Sequence, residues 1–426
     1  MEAANKPSHP ARLLLAGVNR SRPGFANPCL PVVEAFRASP LDPMKWAILT
    51  GQYGQTGGVS DYTALVAEEL AIAGDDVTVY ASSPSLAQLA ERRFSVVELP
   101  GSFGPPAHRA LDLAFKSSMP DRVLVQYAPH AFGWRGMNVP FALWLHARRN
   151  RYPIWIMYHE VAVDFRRRPP FRHNIHALMT HIMAWLTARS ASRIFIAALG
   201  WERTLRPMIP GGKQIIWTPI PSNIPVVEDP DGVANLRRRN RGDSAFMVGH
   251  VGTYGWWIKD LLAQALMVLL DRRSDTTVML LGANGQEFRD NFIARRSDLA
   301  DRIYASGALP AADVSRHLQA CDIMIQPYPD GVTTRRGSAM MILAHGLPLV
   351  TNSGHLTENV WREHRAVHMT PAGNSMQLAL HVNRLLNEQE EMKRLAAAGK
   401  ALYEERFALR HTITALRDQS PDLVQV

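Results

Sequence analysis

Two adjacent arginines mark the point where a helix is predicted to begin, in the segment DGVTTRRGSAMM at residues 330–341. Arg335 and Arg336 stand where a helix N-terminus already presents free backbone N–H groups and the positive end of its dipole. Their charges repel that dipole unless something negative lies between them. A planar guanidinium group can bind two phosphate oxygens at once. The segment therefore predicts an anion site, and two solvated surface arginines are the alternative.

Two further groups would converge on the same anion. They are the backbone N–H of Gly337 and the hydroxyl of Ser338, which open the predicted helix. A guanidinium about 4 Å from a phosphate oxygen contributes on the order of 4 kcal/mol at an effective dielectric of 20, before desolvation is subtracted. This segment therefore carries the strongest chemical signal in the chain.

A glycine-rich loop links the first predicted strand to the first predicted helix, in LTGQYGQTGGVSDYT at residues 49–63. Gly57 and Gly58 would let the backbone approach a ligand closely at the helix N-terminus. The loop lacks the Gly-Lys-Ser/Thr ending of a P-loop and the G-x-G-x-x-G spacing of a dinucleotide site. A tight turn capped by Ser60 or Asp61 is the alternative.

Two other strand ends carry groups that could do chemistry. His159 ends a strand in the tripeptide YHE, where it and Glu160 could move a proton or hold a ligand hydroxyl. In VGTYGWWIKD, Thr253 follows a strand and Lys259 lies in the first turn of the next helix. A cation there is unfavourable unless an anion binds nearby. A satisfied histidine and an ordinary exposed lysine are the alternatives.

Short apolar strands alternate with longer amphipathic segments from Lys45 onward, and this rhythm would position all four turns. Most of these strands are continuously apolar, as in parallel sheets that are buried on both faces. In such sheets, ligands bind beyond the carboxyl ends of the strands. The predicted strands are 46–50, 76–82, 122–128, 153–159, 193–198, 246–252, 276–282, 302–307, 323–328 and 348–352. The predicted helical segments include 59–74, 138–150, 174–190, 258–271 and 374–418.

A proline-rich segment at residues 218–232 and the polar run RRRNRGD at 237–243 are predicted to form a linker, after which the rhythm restarts. The fold class is therefore α/β, with two tandem doubly wound, Rossmann-like domains that face each other across a cleft. The predicted divisions are a poorly ordered extension at 1–43, an N-terminal domain at 44–225, a C-terminal domain at 226–400, and a helix at 401–426 that packs back on the N-terminal domain.

The chain carries a formal net charge of +9 over 426 residues, and the excess is concentrated. Seven arginines and two acidic residues lie between Leu145 and His173, which predicts a partner with phosphates, such as an anionic membrane surface or a nucleotide-linked substrate. A solvated basic face is the alternative, and nucleic acid is disfavoured because no recognition motif accompanies the charge. The arginines are Arg148, Arg149, Arg151, Arg166, Arg167, Arg168 and Arg172.

The cysteines and the apolar runs favour a cytoplasmic protein. Cys29 and Cys321 are far apart and have no metal-ligand spacing, so both are predicted to be reduced thiols. No apolar run approaches the roughly 18 to 20 residues that span a bilayer. The N-terminal run RLLLAGV is too short for a signal peptide.

Four segments together resemble a known family. GGVSDYT, YHE, PIPSNIP and AHGLPLVTNSGHLTENVW are similar to motifs of family-4-like glycosyltransferases of the GT-B fold, from about Lys45 to about Leu416. The resemblance implies retaining transfer of a sugar from a nucleotide-diphosphate donor to an acceptor hydroxyl, as in surface polysaccharide or glycolipid synthesis. The N-terminal domain would bind a carbohydrate or lipid-linked acceptor and the C-terminal domain the donor, at the inner face of the membrane.

The resemblance also implies roles for the residues above. The diphosphate would be held by Arg335, Arg336, Lys259, Gly337 and Ser338. The rest of the donor would be held by His159, Thr253, Asp330, Gly331 and Thr334, and the acceptor side would be formed by Gly57, Gly58, Asp61 and Glu160. Neither a metal nor a cofactor is expected, because basic groups and helix N-termini neutralise the diphosphate; the only nearby Asp-x-Asp, at Asp229 and Asp231, falls in the linker.

The chain departs from the family at its best-known acidic positions. Thr333 and Met341 stand where the family carries two glutamates, and Thr253 replaces the usual arginine after the first C-domain strand. The two adjacent arginines would supply the lost charge, as in a branch with a Thr/Ser-Arg-Arg loop. Glu358 matches a helix-start position in the family and is expected to be structural. A nucleotide-sugar epimerase, a phosphorylase and a non-catalytic donor-binding subunit remain alternatives on this fold.

Overall fold

The computed structural model describes residues 42–54, 57–82, 92–167, 171–242 and 244–418, together with the two-residue strand β1 at Leu13–Leu14. The predictions for Cys29, for Arg168 and for most of the extension at 1–43 lie outside these residues. Contacts divide the chain into two compact units. Unit 1 runs to Phe195 and includes Leu205–Ile215, and unit 2 consists of Ile196–Thr204 and the chain from Ile216 onward.

Unit 1 is built on a sheet in the order β1-β4-β3-β2-β5-β6-β7-β8. Strand β2 pairs in parallel with β3 and β5, β3 with β4, and β5 with β6, whereas β1 is antiparallel to β4. The strands are β2 Lys45–Thr50, β3 Asp76–Ala81, β4 Ser95–Glu98, β5 Arg122–Tyr127, β6 Ile154–Tyr158, β7 Arg193–Ile196 and β8 Ile215–Trp217. The helices are α1 Gly58–Ile72, α2 Pro105–Ser118, α3 Val139–Arg148 and α4 Phe171–Ser190; α5 Gly200–Leu205 lies in unit 2 except for its last residue.

Unit 2 holds a six-stranded parallel sheet in the order β11-β10-β9-β12-β13-β14. Neighbouring residues on its strands enter two separate apolar cores, as Met247 and Val248 do on β9, so both faces of the sheet are covered. The strands are β9 Phe246–Val251, β10 Thr276–Leu281, β11 Ile303–Ala305, β12 Ile323–Gln326, β13 Leu349–Ser353 and β14 His368–Pro371. The longer helices are α6 Pro230–Arg241, α7 Trp256–Arg272, α8 Gly285–Ile293, α9 Ala311–Ala320, α10 Gly337–Ala344, α12 Ser375–Leu385, α13 Gln389–Leu402 and α14 Leu409–Arg417, with the short α11 at Val360–Glu363.

The sequence predictions of α/β architecture and of all ten strands are confirmed, with strand ends that differ by at most two residues. The helical character of 374–418 is confirmed as well, as α12, α13, a π-helical turn at Tyr403–Phe407 and α14. Four strands were not predicted: β1, β4, β8 and β14. They are short or lie at the ends of the sheets, where the apolar run is too brief to stand out.

One prediction about the linker is wrong. The polar run at 237–243 is not an irregular connection, because most of it forms the second half of α6. Asp229 caps this helix by accepting a hydrogen bond from the N–H of Gly232 at 2.9 Å. Arg237 anchors it by donating to the carbonyls of Ala320 and Gln319 at 3.0 and 3.1 Å. The polar residues belong to a helix that is held by its arginine side chain and by Val233 and Leu236, which pack against an apolar core of unit 2.

The contact division also places residues 216–225 with unit 2, although they were predicted to end the N-terminal domain. The C-terminal helices α13 and α14 are part of unit 2, where the Tyr403 hydroxyl accepts a hydrogen bond from the N–H of Ser222 at 3.2 Å. Packing of the last helix on the N-terminal domain stays a prediction. Within the described residues, no helix combines the length and the hydrophobicity that crossing a membrane would need.

Candidate active site

The loop with the two arginines leaves the carboxyl end of β12, in the interior of the unit 2 sheet, and enters α10. It is packed so closely that Gly331 admits no side chain. With φ at +90°, a Cβ on Gly331 would lie 2.2 Å from the Thr357 hydroxyl oxygen and 2.3 Å from the N–H nitrogen of Gly354. The Val332 N–H donates to the carbonyl of Asn352 at 2.8 Å, which ties the loop to β13.

Both arginines turn inward, and one carboxylate lies between them. Arg335 Nη2 donates to Asp330 Oδ2 at 2.9 Å, and Arg336 Nη2 donates to Asp330 Oδ1. The two arginine side chains are only 20% and 19% exposed. The negative charge that the helix N-terminus requires is therefore supplied by Asp330 in this structure. Burial raises the pKa of this carboxyl, but the guanidinium groups of Arg336 and Arg335 lower it more, so that the pKa lies below its usual value.

Aromatic rings support the two guanidinium groups. Arg335 stacks over the Trp201 ring at 5.4 Å from its centroid, and Arg336 over the Tyr328 ring at 4.8 Å. The Tyr328 hydroxyl is hydrogen-bonded to the Ser338 hydroxyl at 2.6 Å, which joins the first turn of α10 to the end of β12. Arg336 Nε is buried and makes no hydrogen bond among the described residues. These contacts hold the guanidinium planes in place while leaving a donor of Arg336 unused.

A buried glutamate fixes the residue that precedes the arginines. Glu358 is 5% exposed and accepts hydrogen bonds from the Thr334 N–H at 3.1 and 3.2 Å and from Trp361 Nε1 at 2.8 Å. The Thr334 hydroxyl oxygen lies 2.8 Å from Glu358 Oε1 and 2.7 Å from the carbonyl oxygen of Ala197, and it accepts from Trp217 Nε1 at 3.1 Å. The conformation of the loop at Thr334 is thus fixed by two other segments through the side chains of Glu358 and Trp217, and by a third through the carbonyl of Ala197.

The Thr334 hydroxyl bears on the protonation state of Glu358, because it has one proton and two oxygen neighbours. A hydroxyl has one proton to donate, and the Ala197 carbonyl can only accept. If that proton goes to Ala197, Glu358 Oε1 must donate, so the group must be a carboxylic acid. Burial raises the pKa of Glu358, and the hydrogen bonds from Trp361 and Thr334 offset this only in part. Burial therefore favours the neutral form of Glu358, whereas the hydrogen bonds donated to it favour the carboxylate.

The positions at which the family carries glutamates are apolar in character here. Thr333 is fully buried and its hydroxyl oxygen makes no hydrogen bond among the described residues. Met341 belongs to an apolar core of unit 2. With Thr333 and Met341 at these positions, Asp330 is the acidic group that this loop offers.

Thr253 and Lys259 occupy the turn after β9. The Thr253 carbonyl accepts from Asn284 Nδ2 at 2.9 Å, and the following Tyr254 is buried with φ at +54°. Lys259 Nζ is paired with Glu287 Oε1 at 2.6 Å. The structure therefore gives Lys259 a carboxylate partner on α8, and this partner is separate from the arginine pair.

In unit 1, the glycine-rich loop presents open backbone at the start of α1. A Cβ added at Gly57 or Gly58 would meet no atom within 4 Å. Gly57 is the N-cap residue, its carbonyl accepts from the N–H of Asp61 at 2.9 Å, and Ser60 Oγ accepts from the N–H of Gly54 at 3.0 Å. Ser60 thus closes the turn, and Asp61 lies in the first turn of the helix.

His159 is buried just beyond β6 and is neutral. Burial lowers its pKa to about 3. Its Nε2 lies 2.8 Å from Gln126 Oε1, an acceptor, so Nε2 carries the ring proton and Nδ1 does not. The ring packs edge-on against Tyr62 at 4.9 Å between centroids. The adjacent Glu160 is half-buried. A neutral imidazole here can accept a hydrogen bond but cannot carry positive charge near pH 7.

The structure thus brings Asp330, Gly331, Thr334, Arg335, Arg336, Gly337 and Ser338 together in one loop, with Thr253 and Lys259 on another turn of unit 2 and the remaining predicted residues in unit 1. Sequence reasoning missed Trp201, Trp217 and Tyr328 as supports of the loop. The first two lie more than a hundred residues away along the chain, and no local pattern marks them. Tyr328 was predicted to be the last residue of strand 323–328 and was not considered as a contact of the loop.

Replacement of Asp330 tests whether its carboxylate occupies the place of a ligand anion. In Asp330→Asn the two arginines lose the carboxylate that neutralises them. We therefore expect inorganic pyrophosphate and nucleoside diphosphates to bind about tenfold more tightly, which corresponds to roughly 1.4 kcal/mol of binding free energy. Isothermal titration calorimetry measures this directly. Asp298→Asn, which removes a carboxylate paired with Arg296, serves as the matched control. Unchanged or weaker diphosphate binding in Asp330→Asn would show that Asp330 does not compete with the ligand.

Two family models match the sequence, one in each half of the chain. The model described as Glycosyltransferase Family 4 matches residues 56–206, and the model described as Glycosyl transferases group 1 matches residues 245–388. The chain is a group 1, family 4 glycosyltransferase. Its reaction is therefore the transfer of a sugar from a nucleotide-sugar donor to an acceptor. Arg335, Arg336 and Glu358 lie within the matched residues of the second model.

Solved structures agree with the GT-B fold of this glycosyltransferase. Sucrose-phosphate synthase from Thermosynechococcus elongatus aligns with a TM-score of 0.67 at 15% identity, over 87% of this chain and 96% of that one. Anabaena HepE in complex with UDP-glucose aligns at 0.66 and 17% identity, over 88% and 98%. WaaG, a glycosyltransferase involved in lipopolysaccharide biosynthesis, aligns at 0.63 and 14% identity, over 87% and 99%. No curated protein sequence matches the chain.

Proposed function

We propose that this glycosyltransferase binds a nucleoside diphosphate sugar at the N-terminus of α10, with the diphosphate held by Arg335 and Arg336. The observation that carries the proposal is that both guanidinium groups turn inward onto a single anionic group, the Asp330 carboxylate. A diphosphate carries more charge than a carboxylate and can take several guanidinium N–H groups at once. It would therefore compete well for the place of Asp330. The N–H of Gly337 and the hydroxyl of Ser338 would add neutral donors.

We propose the uridine diphosphate sugars as the first donors to test, because Anabaena HepE, which has the same fold, was solved with UDP-glucose. Asp330, once displaced from the arginines, would hold sugar hydroxyls together with the backbone of Gly331. Thr334 would position the loop beneath the donor, since its hydroxyl, its N–H and its carbonyl already have partners. Thr253 and Lys259 would approach the donor from the β9 turn, and Lys259 would exchange Glu287 for a phosphate oxygen. This arrangement is what we propose for a branch of the family with a Thr-Arg-Arg loop.

The proposed reaction retains the configuration of the sugar and uses no metal. Negative charge develops on the leaving diphosphate as the glycosidic bond to it breaks, and fixed guanidinium groups stabilise that charge without reorganising. The leaving phosphate oxygen could take the proton of the acceptor hydroxyl. A separate side-chain base is then unnecessary. His159, which is neutral and buried, suits a role as a hydrogen-bond acceptor for a substrate hydroxyl.

We assign the acceptor to unit 1, where Gly57, Gly58, Asp61 and Glu160 would contact it. The acceptor class would be a carbohydrate or a lipid-linked carbohydrate, as in the synthesis of surface polysaccharide or glycolipid. WaaG, one of the similar structures, is described as involved in lipopolysaccharide biosynthesis. The basic residues of unit 1 favour an acceptor or a surface that carries phosphates. We therefore place the enzyme in the cytoplasm at the inner face of the membrane.

Two other functions compete with this proposal. An epimerase on the same fold would convert the donor without an acceptor, and a putative UDP-N-acetylglucosamine 2-epimerase from Listeria monocytogenes aligns with a TM-score of 0.55 at 14% identity. A non-catalytic donor-binding subunit would bind the donor and transfer nothing, which the replacement of the glutamates by Thr333 and Met341 would permit. Incubation of the purified chain with donor alone tests for the epimerase, and hydrolysis or transfer by the purified chain excludes the non-catalytic subunit.

A panel of nucleoside diphosphate sugars tests the donor assignment. Ligands that bind only the native state raise the melting temperature. At a ligand concentration a hundred times the dissociation constant, they increase the free energy of unfolding by about 2.7 kcal/mol. We expect one nucleoside diphosphate and its sugar conjugates to raise the melting temperature by several degrees, with and without EDTA. Nucleoside monophosphates should have a much smaller effect. If no diphosphate shifts the melting temperature, or if the shift requires a divalent metal, the proposed site is wrong. An epimer formed from donor alone would favour the epimerase.

A further inference from the structure

Helix α4 exposes an apolar stripe along its whole length. Its exposed large side chains are Phe171 at 77%, Ile175 at 41%, Leu178 at 48% and Trp185 at 44% of full exposure. With 3.6 residues per turn, these four and the half-buried Ile182 fall within about 80° of the helix circumference. A stripe of this kind on a water-soluble surface indicates an interaction site, because single exposed apolar residues are normal but contiguous ones are not.

The stripe is not the side of α4 that packs into the core of unit 1. The opposite side of α4 is the one that packs on unit 1, where Ala177, Thr180, Met183, Ala184 and Thr187 are buried. The helix is therefore apolar on both sides: one side is covered by unit 1, and the other is open in this chain. A helix that is apolar on both sides is usually covered on both sides, so the outer side of α4 is expected to contact a second surface.

The charged residues around the stripe indicate which kind of surface it would contact. Helix α4 contains no acidic residue in its twenty positions. Arg172 is exposed beside Phe171, and the exposed Arg166 and Arg167 lie just before the helix. At the other end, the Arg189 guanidinium lies 4.8 Å from the centroid of the Trp185 ring. Basic residues that flank exposed aromatic and aliphatic side chains match an anionic lipid surface, where the apolar groups enter the acyl boundary and the arginines meet phosphates.

The basic region is smaller than its sequence suggested. Arg148 forms a two-pronged ion pair with Asp112 and stacks over Trp144 at 4.5 Å, so it is engaged in structure. Arg149 donates to the carbonyl of His146 at 2.7 Å. Arg166, Arg167 and Arg172 are the exposed arginines next to the stripe along the chain, and Arg149 and Arg151 are exposed just after α3.

We propose that the outer face of α4, defined by Phe171, Ile175, Leu178, Ile182 and Trp185, docks the enzyme on an anionic bilayer. The helix lies in the plane of the membrane, with the stripe in the boundary between headgroups and acyl chains and Arg166, Arg167 and Arg172 at the phosphates. At 1.5 Å per residue, the stripe is on the order of 25 Å long, enough for the helix to lie along the surface. This docking is independent of the donor site in unit 2.

Vesicle flotation with the full chain tests the proposal. We expect binding to vesicles of phosphatidylglycerol and phosphatidylcholine, little binding to pure phosphatidylcholine, and at least tenfold weaker binding when NaCl is raised from about 0.1 to about 0.5 M. The stripe variant Phe171→Ser, Leu178→Ser, Trp185→Ser should bind on the order of 100-fold more weakly. Replacing Arg166, Arg167 and Arg172 by Gln should lower binding by about fivefold for each arginine, the equivalent of about 1 kcal/mol.

A matched control removes exposed apolar residues elsewhere. Ile72, Leu113 and Met376 are 49%, 68% and 59% exposed, and their replacement by Ser should leave flotation unchanged. The proposal is overturned if wild-type protein does not float with anionic vesicles, if neutral vesicles bind it equally well, or if the stripe variant floats like wild type. Loss of a dimer in the stripe variant without any vesicle binding would assign the face to a second protein chain. Donor binding in the thermal-shift panel is expected to be the same in all variants.

Discussion

The double variant Arg335→Ala, Arg336→Ala should lose at least 1,000-fold in kcat/KM for sugar transfer. Two guanidinium contacts to a diphosphate contribute on the order of 4 kcal/mol each before desolvation, so a net loss of about 4 kcal/mol is expected for the pair. The interactions stabilise the leaving group as it gains charge, so kcat should fall more than the affinity for the donor. A steady-state transfer assay with the donor identified in the thermal-shift panel measures both.

The double variant also leaves the Asp330 carboxylate without its two partners, and an unpaired, largely buried charge destabilises a loop. The triple variant Asp330→Asn, Arg335→Gln, Arg336→Gln removes all three charges and separates the two effects. It should fold as wild type by circular dichroism and still lack transfer activity. Arg296→Ala, which removes a surface arginine paired with Asp298, should transfer sugar normally. Transfer by the folded triple variant within tenfold of wild type would contradict the role of the arginines.

Replacement of Glu358 should have the second largest effect, and the effect should depend on the substitute. Glu358→Ala leaves the Trp361 and Thr334 donors buried without a partner, at about 1 to 3 kcal/mol for each unsatisfied group. The loop that carries the arginines loses its anchor at Thr334, so transfer should fall on the order of 100-fold. Glu358→Gln keeps the shape, and its amide can donate to the Thr334 hydroxyl as a carboxylic acid would. It should retain transfer within about threefold, because a neutral donor at this position fits the two oxygen neighbours of the Thr334 hydroxyl.

The pH dependence of stability provides a second measurement on the same residue. Because burial raises the pKa of Glu358 in the folded state, its stabilising effect is complete below the unfolded pKa of about 4.3 and is lost as the pH rises through the folded pKa. The unfolding free energy of Glu358→Gln should therefore increase relative to wild type from pH 4 toward pH 8. If the glutamine variant loses transfer as severely as the alanine variant, or if the stability difference does not change with pH, the group is a required carboxylate and not an acid.

Much of the arginine loop at residues 330–338 could be predicted from local sequence. The apolar run of β12 and the Gly–Ser start of α10 placed the two arginines at a helix N-terminus, which is where they lie. The conflict between their charge and the helix dipole correctly required a negative group between them. That the group is Asp330 could not be read from spacing, because a side chain five positions earlier reaches the guanidinium groups only through the turn at Gly331.

Other features of the site depend on residues that are distant along the chain. Trp201 and Ala197 come from the segment Ile196–Thr204, which leaves the first half of the sequence and packs with unit 2. The polar run at 237–243 was predicted to be a linker because it shows no periodic pattern of apolar residues. Its helix α6 is held by Arg237 and by the Asp229 cap, and such polar contacts leave no hydrophobic period in the sequence. His159 reads as a candidate for proton transfer until its burial is known.

The sequence by itself determined the α/β class, the positions of the buried strands, the arginine pair at a helix start and the family resemblance, because each of these depends on neighbouring residues and on short periodicities. Only the tertiary structure decided the neutral state of His159, the raised pKa of Glu358, the pairing of Asp330 with both arginines, and the open apolar face of α4. Burial and hydrogen-bond partners determine these properties, and they arise from segments that meet only after the chain has folded.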